Sequence, residues 1–249
     1  SADQKITKLA NKLAEGSQPF MTSLKLLNGI PAKFHSWAWR HLYLKAKPSD
    51  YEALVGHNRE VVCVNASADR RYIVTASWDD TAIIWDAFKG HALATLPHTS
   101  SIKSGADVEC ALFSPDSKYV ITSCSDGTVR VWDVQASLTQ TSPKASYRFK
   151  AANKAVRDMK FCSNYLITCD DTGALKSWHW SIKSFTNPIH KAWHKKNARC
   201  TRLSLSPNGK VLASSGWTVF PQLWTVDSMG FFKRLISFNA ADGHKDVIR

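Results

Sequence analysis

Tryptophan recurs along this chain at an almost constant interval. Intervals of 47, 46 and 46 residues separate Trp85, Trp132, Trp178 and Trp224. The first two tryptophans belong to similar segments, TASWDDTAIIWD at 75–86 and SCSDGTVRVWDV at 123–134. A fixed period of this length indicates a repeat architecture with one supersecondary unit in each period.

Each period reads as four short strands. In the first period the segments VVCVNA, YIVTAS, AIIWD and ALATL are apolar or β-branched and are separated by turn-forming residues. The turn sequences SADRR, SPDSK and SPNGK recur between the first two strands, and DDT and DGT recur between the second and third. The sequence therefore predicts antiparallel four-stranded units.

The opening and closing residues of the first unit carry a family resemblance. Gly56-His57 begins the unit and Trp85-Asp86 ends it, and this stretch resembles a WD40 repeat. Proteins of that family fold as β-propellers built from four-stranded blades. The resemblance implies an all-β chain: a WD40 β-propeller with four blades and the start of a fifth, preceded by a short α-helical segment.

The expected domain boundaries follow from the repeat. A helical extension is expected at 1–50 and the propeller at 51–249, with blades at about 51–97, 98–143, 144–190 and 191–240 and the next blade beginning at 241–249. Four blades in an open stack would leave strand edges unpaired. The sequence is therefore expected to be a fragment or to receive further blades from elsewhere. A closed ring of four blades is the less favoured alternative.

The resemblance also implies a hydrogen-bonded tetrad of His, Ser or Thr, Asp and Trp in each blade. In the first unit these positions match His57, Ser77, Asp79 and Trp85. Buried polar groups need partners, and four groups that satisfy one another can hold a turn against a strand. The tetrad is therefore predicted to be structural, and no catalytic residue is expected.

The later units match the tetrad less completely. Their matching residues are His98, Asp126 and Trp132 in the second unit, Trp178 in the third, and His194 and Trp224 in the fourth. Cys124 stands where a hydroxyl is expected, and Thr172 and Thr218 stand where aspartate is expected. These units are predicted to depend more on apolar packing.

Positive charge is concentrated in one part of the chain. The formal net charge is +13, and residues 144–210 contain fourteen Lys and Arg against three Asp. Cations near aromatic rings suit a phosphate backbone with stacking bases. The sequence predicts contact with a polyanion, either RNA or an acidic protein surface, through Lys191, Trp193, Lys195, Lys196, Arg199 and Arg202. The alternative is that these tryptophans are packing residues and the lysines keep the surface soluble.

Two helices are predicted before the repeats. One lies in DQKITKLANKLAEG at 3–16, and the other, rich in aromatic residues, lies in PAKFHSWAWRHLYLKAKP at 31–48. Helices ahead of WD40 repeats resemble the arrangement in F-box proteins, which recruit a ubiquitin-ligase adaptor. Packing against the propeller or a partner is the favoured interpretation of these helices.

The sequence gives little indication of a disulfide framework, a metal site or a catalytic site. The cysteines are scattered and contain no C-x-x-C pair, so free buried thiols are expected at Cys63, Cys110, Cys124, Cys162, Cys169 and Cys200. His179, His190 and His194 are irregularly spaced and have no nearby acid or thiolate, so no zinc site is expected. The sequence contains no catalytic motif and no apolar run long enough to span a membrane. No cofactor is therefore expected, and a cytoplasmic or nuclear location is expected.

These features favour one function and leave two alternatives. The favoured function is a non-catalytic WD40 scaffold that mediates protein–protein interactions within a multi-subunit assembly. The first alternative is an RNA- or polyanion-associated component of a ribonucleoprotein complex, acting through the basic region. The second is a substrate receptor of a ubiquitin ligase, with residues 31–48 meeting the adaptor.

Overall fold

The structure is a computed structural model that describes residues 54–98, 105–180, 185–194, 198–217 and 220–237. The chain divides into two units, Ser1–Ala53 and Leu54–Arg249. The predicted helices and the expected start of a fifth blade lie outside the described residues. So do Lys195, Lys196 and Thr218.

Four antiparallel sheets, each of four strands, make up most of the described structure. The first sheet contains β1 (Val61–Ala66), β2 (Tyr72–Ser77), β3 (Thr81–Asp86) and β4 (Ala92–Pro97). The second contains β5 (Val108–Phe113), β6 (Tyr119–Cys124), β7 (Thr128–Asp133) and β8 (Tyr147–Lys150). The third contains β9 (Val156–Cys162), β10 (Tyr165–Asp170), β11 (Ala174–His179) and β12 (His190–Trp193). The fourth contains β13 (Cys200–Leu205), β14 (Val211–Gly216), β15 (Gln222–Val226) and β16 (Phe232–Ser237).

Neighbouring strands in every sheet follow chain order, so the prediction of antiparallel four-stranded units is confirmed. The described ranges contain one α-helix, α1 (Val134–Thr139), whose start is capped by the Asp133 carboxylate. No helix in these ranges is both long and apolar enough to cross a membrane.

A serine organises the turn between the first and second strands in three of the four sheets. The Ser67 hydroxyl donates to the Asp69 carboxylate at 2.6 Å and accepts the Tyr72 N–H at 3.0 Å. Ser114 and Ser206 make equivalent pairs of bonds in the second and fourth sheets. Local side-chain bonds of this kind favour a tight turn over a continuing strand, which explains why these turn sequences recur.

Two of the expected blade boundaries are wrong. The strand β8 pairs with β7 in the second sheet, although the expected boundary placed it in the third unit at 144–190. The helix α1 separates β7 from β8, so the last strand of this sheet comes late in the sequence. The boundary expected at 190/191 also cuts through β12, which pairs with β11.

The apolar core lies between consecutive sheets, whose first strands contact one another in the order β1, β5, β9 and β13. Polar contacts also cross these junctions. The Asp158 carboxylate on β9 accepts the Leu203 N–H of the fourth sheet at 2.8 Å. It also lies 3.4 Å from the Cys110 sulfur of the second sheet. Each sheet is thus fixed to its neighbour near its first strand.

Candidate functional site

A buried hydroxyl joins a histidine to a tryptophan in the first sheet. The Trp85 indole donates to the Thr75 hydroxyl oxygen at 2.8 Å, and His57 Nε2 lies 2.7 Å from the same oxygen. His57 Nδ1 lies 2.9 Å from the Asp79 carboxylate. We call a serine or threonine hydroxyl that bonds the tryptophan of its sheet a hydroxyl bridge.

The prediction that Ser77 supplies the hydroxyl of this tetrad is wrong. Trp85 pairs with Ile73 across β2 and β3, so its indole reaches the next residue on that side, Thr75. Ser77 lies farther along, at the end of β2, where it donates to the Arg59 carbonyl at 3.2 Å. The register of β2 and β3 therefore places Thr75, and not Ser77, beside the Trp85 indole.

Equivalent hydroxyl bridges occur in the other three sheets. The indoles of Trp132, Trp178 and Trp224 donate to Thr122, Thr168 and Ser214 at 2.9, 3.0 and 2.8 Å. Every bridging residue precedes its tryptophan by ten positions. This interval is visible in the sequence and could have identified all four hydroxyls. Cys124 therefore does not replace a missing hydroxyl, because Thr122 supplies it.

The histidine and aspartate positions vary among the sheets. His98 Nε2 lies 2.7 Å from Thr122, and His194 Nδ1 lies 2.9 Å from Ser214. Within the described ranges no histidine bonds Thr168 in the third sheet. Asp126 accepts from the N–H and hydroxyl of Thr128, whereas His98 Nδ1 lies 3.0 Å from the Leu96 carbonyl.

In the third sheet, Thr172 stands at the expected aspartate position and bonds an acid two residues earlier in the chain. The Thr172 hydroxyl and N–H both donate to the Asp170 carboxylate. Asp170, at the end of β10, is therefore the acid of this turn, although the sequence indicated none.

Burial and hydrogen bonding set the charge of these groups. Burial, aided by the nearby positive charge of Arg130, lowers the pKa of His98 from 6.5 to about 3, so the ring is neutral at pH 7. Burial also opposes ionisation of Asp79, but hydrogen bonds from the Thr81 hydroxyl and the Asn58 N–H hold the pKa of Asp79 below its usual value. These groups satisfy one another, and we interpret the bridges as structural.

A second repeated position lies at one end of the sheets. In each sheet, the residue after the second strand donates its N–H to a carbonyl just before the first strand, at 2.9–3.1 Å. The donors are Trp78, Ser125, Asp171 and Trp217.

A pocket of about 620 Å³ opens at this end of the sheets, and we call it the arginine pocket. It is lined by Arg59, Val62, Trp78, Asp107, Glu109, Ser125, Arg157, Arg199, Thr201, Arg202 and Trp217.

The charge of Arg157 is neutralised within the protein. Its guanidinium donates to Glu109 at 2.7 Å and makes a bidentate pair with Asp171 at 2.8 Å. These contacts raise the pKa of Arg157, with the hydrogen bonds to Asp171 as the main cause. Burial raises the pKa of Glu109, although Arg157 acts against that rise. Arg157 therefore holds two acids of the pocket in place.

Two other arginines keep donors for a ligand. Arg199 stacks on the Trp217 ring at 4.3 Å and has only a long contact of 3.6 Å to Asp171. Arg202 is exposed, and among the described residues it makes only a weak bond, to the Thr201 carbonyl at 3.3 Å. The Thr201 hydroxyl is buried and has no hydrogen-bond partner among the described residues. All three residues line the arginine pocket.

The residues predicted to bind a polyanion lie in two different places. Arg199 and Arg202 line the arginine pocket. Lys191 and Trp193 instead line a smaller pocket of about 290 Å³, together with Lys150 and others. We call this second site the lysine pocket. Its Lys191 ammonium lies 4.4 Å from the Trp193 ring.

The three histidines of the basic region make separate contacts. His179 packs against Tyr165, His190 packs against Phe231, and His194 bonds Ser214. No group of three or more His, Cys, Asp or Glu side chains suited to a metal ion occurs within the described part of the chain.

Comparison with known proteins agrees with this architecture. The family model described as WD domain, G-beta repeat matches residues 50–86 and 90–133. A sequence search of curated proteins gives no match. The chain therefore contains WD40 repeats at these positions, and its four-stranded antiparallel sheets are consistent with the blades of a WD40 β-propeller.

Proposed function

We propose that this chain is an interaction scaffold whose arginine pocket docks an acidic segment of a partner protein. WD40 repeats typically serve as non-catalytic platforms for protein interactions, which supports the general role. The observation that carries the specific proposal is the set of unsatisfied donors on Arg199, Arg202 and Thr201.

Guanidinium groups suit this role because their planar N–H groups match a carboxylate in a two-bond geometry. Trp217 holds the plane of Arg199 against its ring, which reduces the freedom that binding would remove. The Trp217 side chain is 52% exposed, so it also offers an apolar surface to the partner. A buried hydroxyl without a partner gains a hydrogen bond when an acceptor arrives.

A protein segment fits the arginine pocket better than RNA does. Asp107 and Glu109 line the same pocket, and Asp171 contacts two of its arginines. A phosphate backbone carries one charge per nucleotide and would be repelled where it passed these acids. A single glutamate or aspartate side chain can reach the arginines and avoid that repulsion.

The test measures binding of two fluorescent probes by anisotropy: a peptide whose glutamates are separated by neutral residues and an oligouridylate of equal formal charge. The double variant Arg199→Glu/Arg202→Glu should weaken peptide binding about tenfold or more, since each charged hydrogen bond contributes about 1.5 kcal/mol or more. The matched control, Lys89→Glu/Lys118→Glu, makes the same charge change at exposed residues that line neither pocket. Equal weakening by both double variants would show that only net charge matters and would refute the proposal.

The lysine pocket supports a second candidate, RNA binding. Its Trp193 ring is half-buried and lies beside Lys191, a combination that can stack a base next to a phosphate contact. The variant Trp193→Ala/Lys191→Glu should then weaken oligouridylate binding and leave the peptide unaffected. If this variant leaves RNA binding unchanged, the ribonucleoprotein alternative loses its structural support. The ubiquitin-ligase alternative stays a prediction, since 31–48 lie outside the described residues.

A further inference from the structure

Two cysteines meet at the junction of the first and second sheets. Cys63 lies on β1 and Cys110 on β5, and their sulfur atoms are 3.6 Å apart. The strands β1 and β5 contact each other directly. A disulfide requires about 2.05 Å between sulfurs, so closing the bond requires the sulfurs to approach by roughly 1.5 Å.

The environments of the two thiols differ. Cys63 is partly exposed, whereas Cys110 is 2% exposed. The Ala111 N–H donates to the Cys63 sulfur at 3.5 Å. On the other side of Cys110, the Asp158 carboxylate lies 3.4 Å from its sulfur and is paired with Lys160 at 3.0 Å. Cys63 is thus the accessible member of the pair, and Cys110 lies behind it.

The surrounding bonds favour the thiolate form of Cys63. The hydrogen bond with Cys110, supported by the Ala111 N–H, lowers the pKa of Cys63 to about 7, against the effects of burial and of Asp158. The bond to Cys63 and burial raise the pKa of Cys110 well above its ordinary value. At neutral pH the pair therefore contains a partly exposed nucleophile beside a protonated thiol, the arrangement typical of an oxidisable pair.

We propose that Cys63 and Cys110 form a site that reacts with hydroperoxides and closes to a disulfide between the first and second sheets. The proposal is independent of what the arginine pocket binds. It rests on the short distance between the sulfurs, the access to Cys63 and the direct contact of β1 with β5.

The reaction has two steps. The Cys63 thiolate attacks one oxygen of hydrogen peroxide, an S–O bond forms as the O–O bond breaks, and the released hydroxide takes a proton from solvent. Cys63 is then a sulfenic acid. Cys110 loses its proton and attacks the Cys63 sulfur, and the S–O bond breaks to release hydroxide, which takes that proton. Overall, two thiols and one peroxide give one disulfide and two waters.

The chain contains a natural comparison pair. Cys169 and Cys200 are also close, since the Cys169 thiol donates to the Cys200 carbonyl at 3.4 Å. Both are fully buried. Proximity alone predicts that both pairs oxidise, whereas proximity combined with access to a thiolate predicts oxidation of the Cys63–Cys110 pair only.

The experiment treats the full chain with a small excess of hydrogen peroxide, alkylates the remaining thiols and measures the mass of the protein and its peptides. Wild type should lose two hydrogen atoms, keep four of its six thiols alkylatable and yield a Cys63–Cys110 cross-linked peptide. Cys110→Ser should stop at a sulfenic acid on Cys63, trapped by a 1,3-diketone probe. Cys169→Ser is the matched control and should form the Cys63–Cys110 disulfide at the wild-type rate.

A second measurement uses wild type alone and does not depend on the folding of a variant. Alkylation of Cys63 by iodoacetamide at pH 7 should be about five to ten times faster than that of an ordinary thiol, after allowance for the lower nucleophilicity of a low-pKa thiolate. Denaturation in urea should abolish this difference. The proposal fails if the native protein forms no Cys63–Cys110 disulfide, if Cys169 and Cys200 oxidise equally fast, or if Cys63 reacts as an ordinary thiol.

Discussion

Replacing Thr122 with valine would remove a single oxygen atom that serves two buried partners. The hydroxyl accepts the Trp132 indole N–H at 2.9 Å and lies 2.7 Å from His98 Nε2. All three side chains are at least 96% buried. Valine has nearly the same shape as threonine, so the change removes hydrogen bonds and leaves the volume of the core almost unchanged.

The expected loss follows from the two groups left without partners. Each unsatisfied buried polar group costs about 1–3 kcal/mol, so Thr122→Val should lower the free energy of unfolding by roughly 2–6 kcal/mol. For a chain of this size each kcal/mol corresponds to a fall in Tm of about 2–4 °C. In the third sheet Thr168 bonds Trp178 without a histidine. Thr168→Val should therefore cost only about 1–3 kcal/mol.

Urea denaturation followed by tryptophan fluorescence and circular dichroism would measure these differences. Thr95→Val is the matched control, because Thr95 is exposed on β4 and the same change there should alter stability by less than about 0.5 kcal/mol. Cys124→Ser should not stabilise the protein, since Trp132 already has its acceptor. The reasoning is refuted if Thr122→Val costs no more than Thr95→Val, or if Thr168→Val costs as much as Thr122→Val.

Two further predictions concern pH and backbone shape. The pKa of His98 is lowered to about 3 by burial and by Arg130. As the pH drops below about 6.5, the unfolded chain takes up a proton at this residue and the folded protein does not, so the free energy of unfolding should decrease. The decrease between pH 8 and pH 5 should be about 2 kcal/mol. Urea midpoints across this range should depend less on pH in His98→Gln, and an unchanged dependence would contradict the assignment. Gly127 has φ +79°, and a Cβ there would lie 2.1 Å from the Ala152 carbonyl oxygen, whereas at Gly209 (φ +69°) the nearest atom is 3.7 Å away. Gly127→Ala should therefore cost roughly 3–5 kcal/mol against about 1 kcal/mol for Gly209→Ala, and equal thermal shifts would rule out the clash.

The strands were predictable because their signals are local. The segments VVCVNA and YIVTAS correspond to β1 and β2 residue for residue. The serine turn between them repeats in two other sheets. Each signal lies within a few residues, and the regular spacing of tryptophans confirmed that the units are equivalent. Strand order within each sheet then followed from the short turns.

The errors arose where a long connection or the strand register decided the outcome. The helix α1 has only six residues, too few for a helical period to stand out, so β8 was assigned to the wrong unit. Ser77 and Thr75 are both plausible hydroxyls when the first unit is read alone, and the pairing of Trp85 with Ile73 explains why Thr75 is the one beside the indole.

The arginine pocket could not be predicted as a site, because its ion pairs join residues far apart in sequence. Arg157 meets Glu109 across 48 residues, and that contact exists only once the second and third sheets have packed together. The sequence does show that the position seven residues before each tryptophan is equivalent in every unit. It does not show that these positions lie at one end of the sheets beside the arginines.

Asp158 has a consequence for how the chain resists mechanical force. Its carboxylate, on the third sheet, contacts the second sheet at Cys110 and the fourth at Leu203. A stack of sheets held only by apolar contacts could peel apart one sheet at a time when pulled from an end. Because one side chain contacts both neighbours of its own sheet, detaching the fourth sheet also disturbs the junction between the second and third. These three sheets should therefore rupture as one cooperative unit.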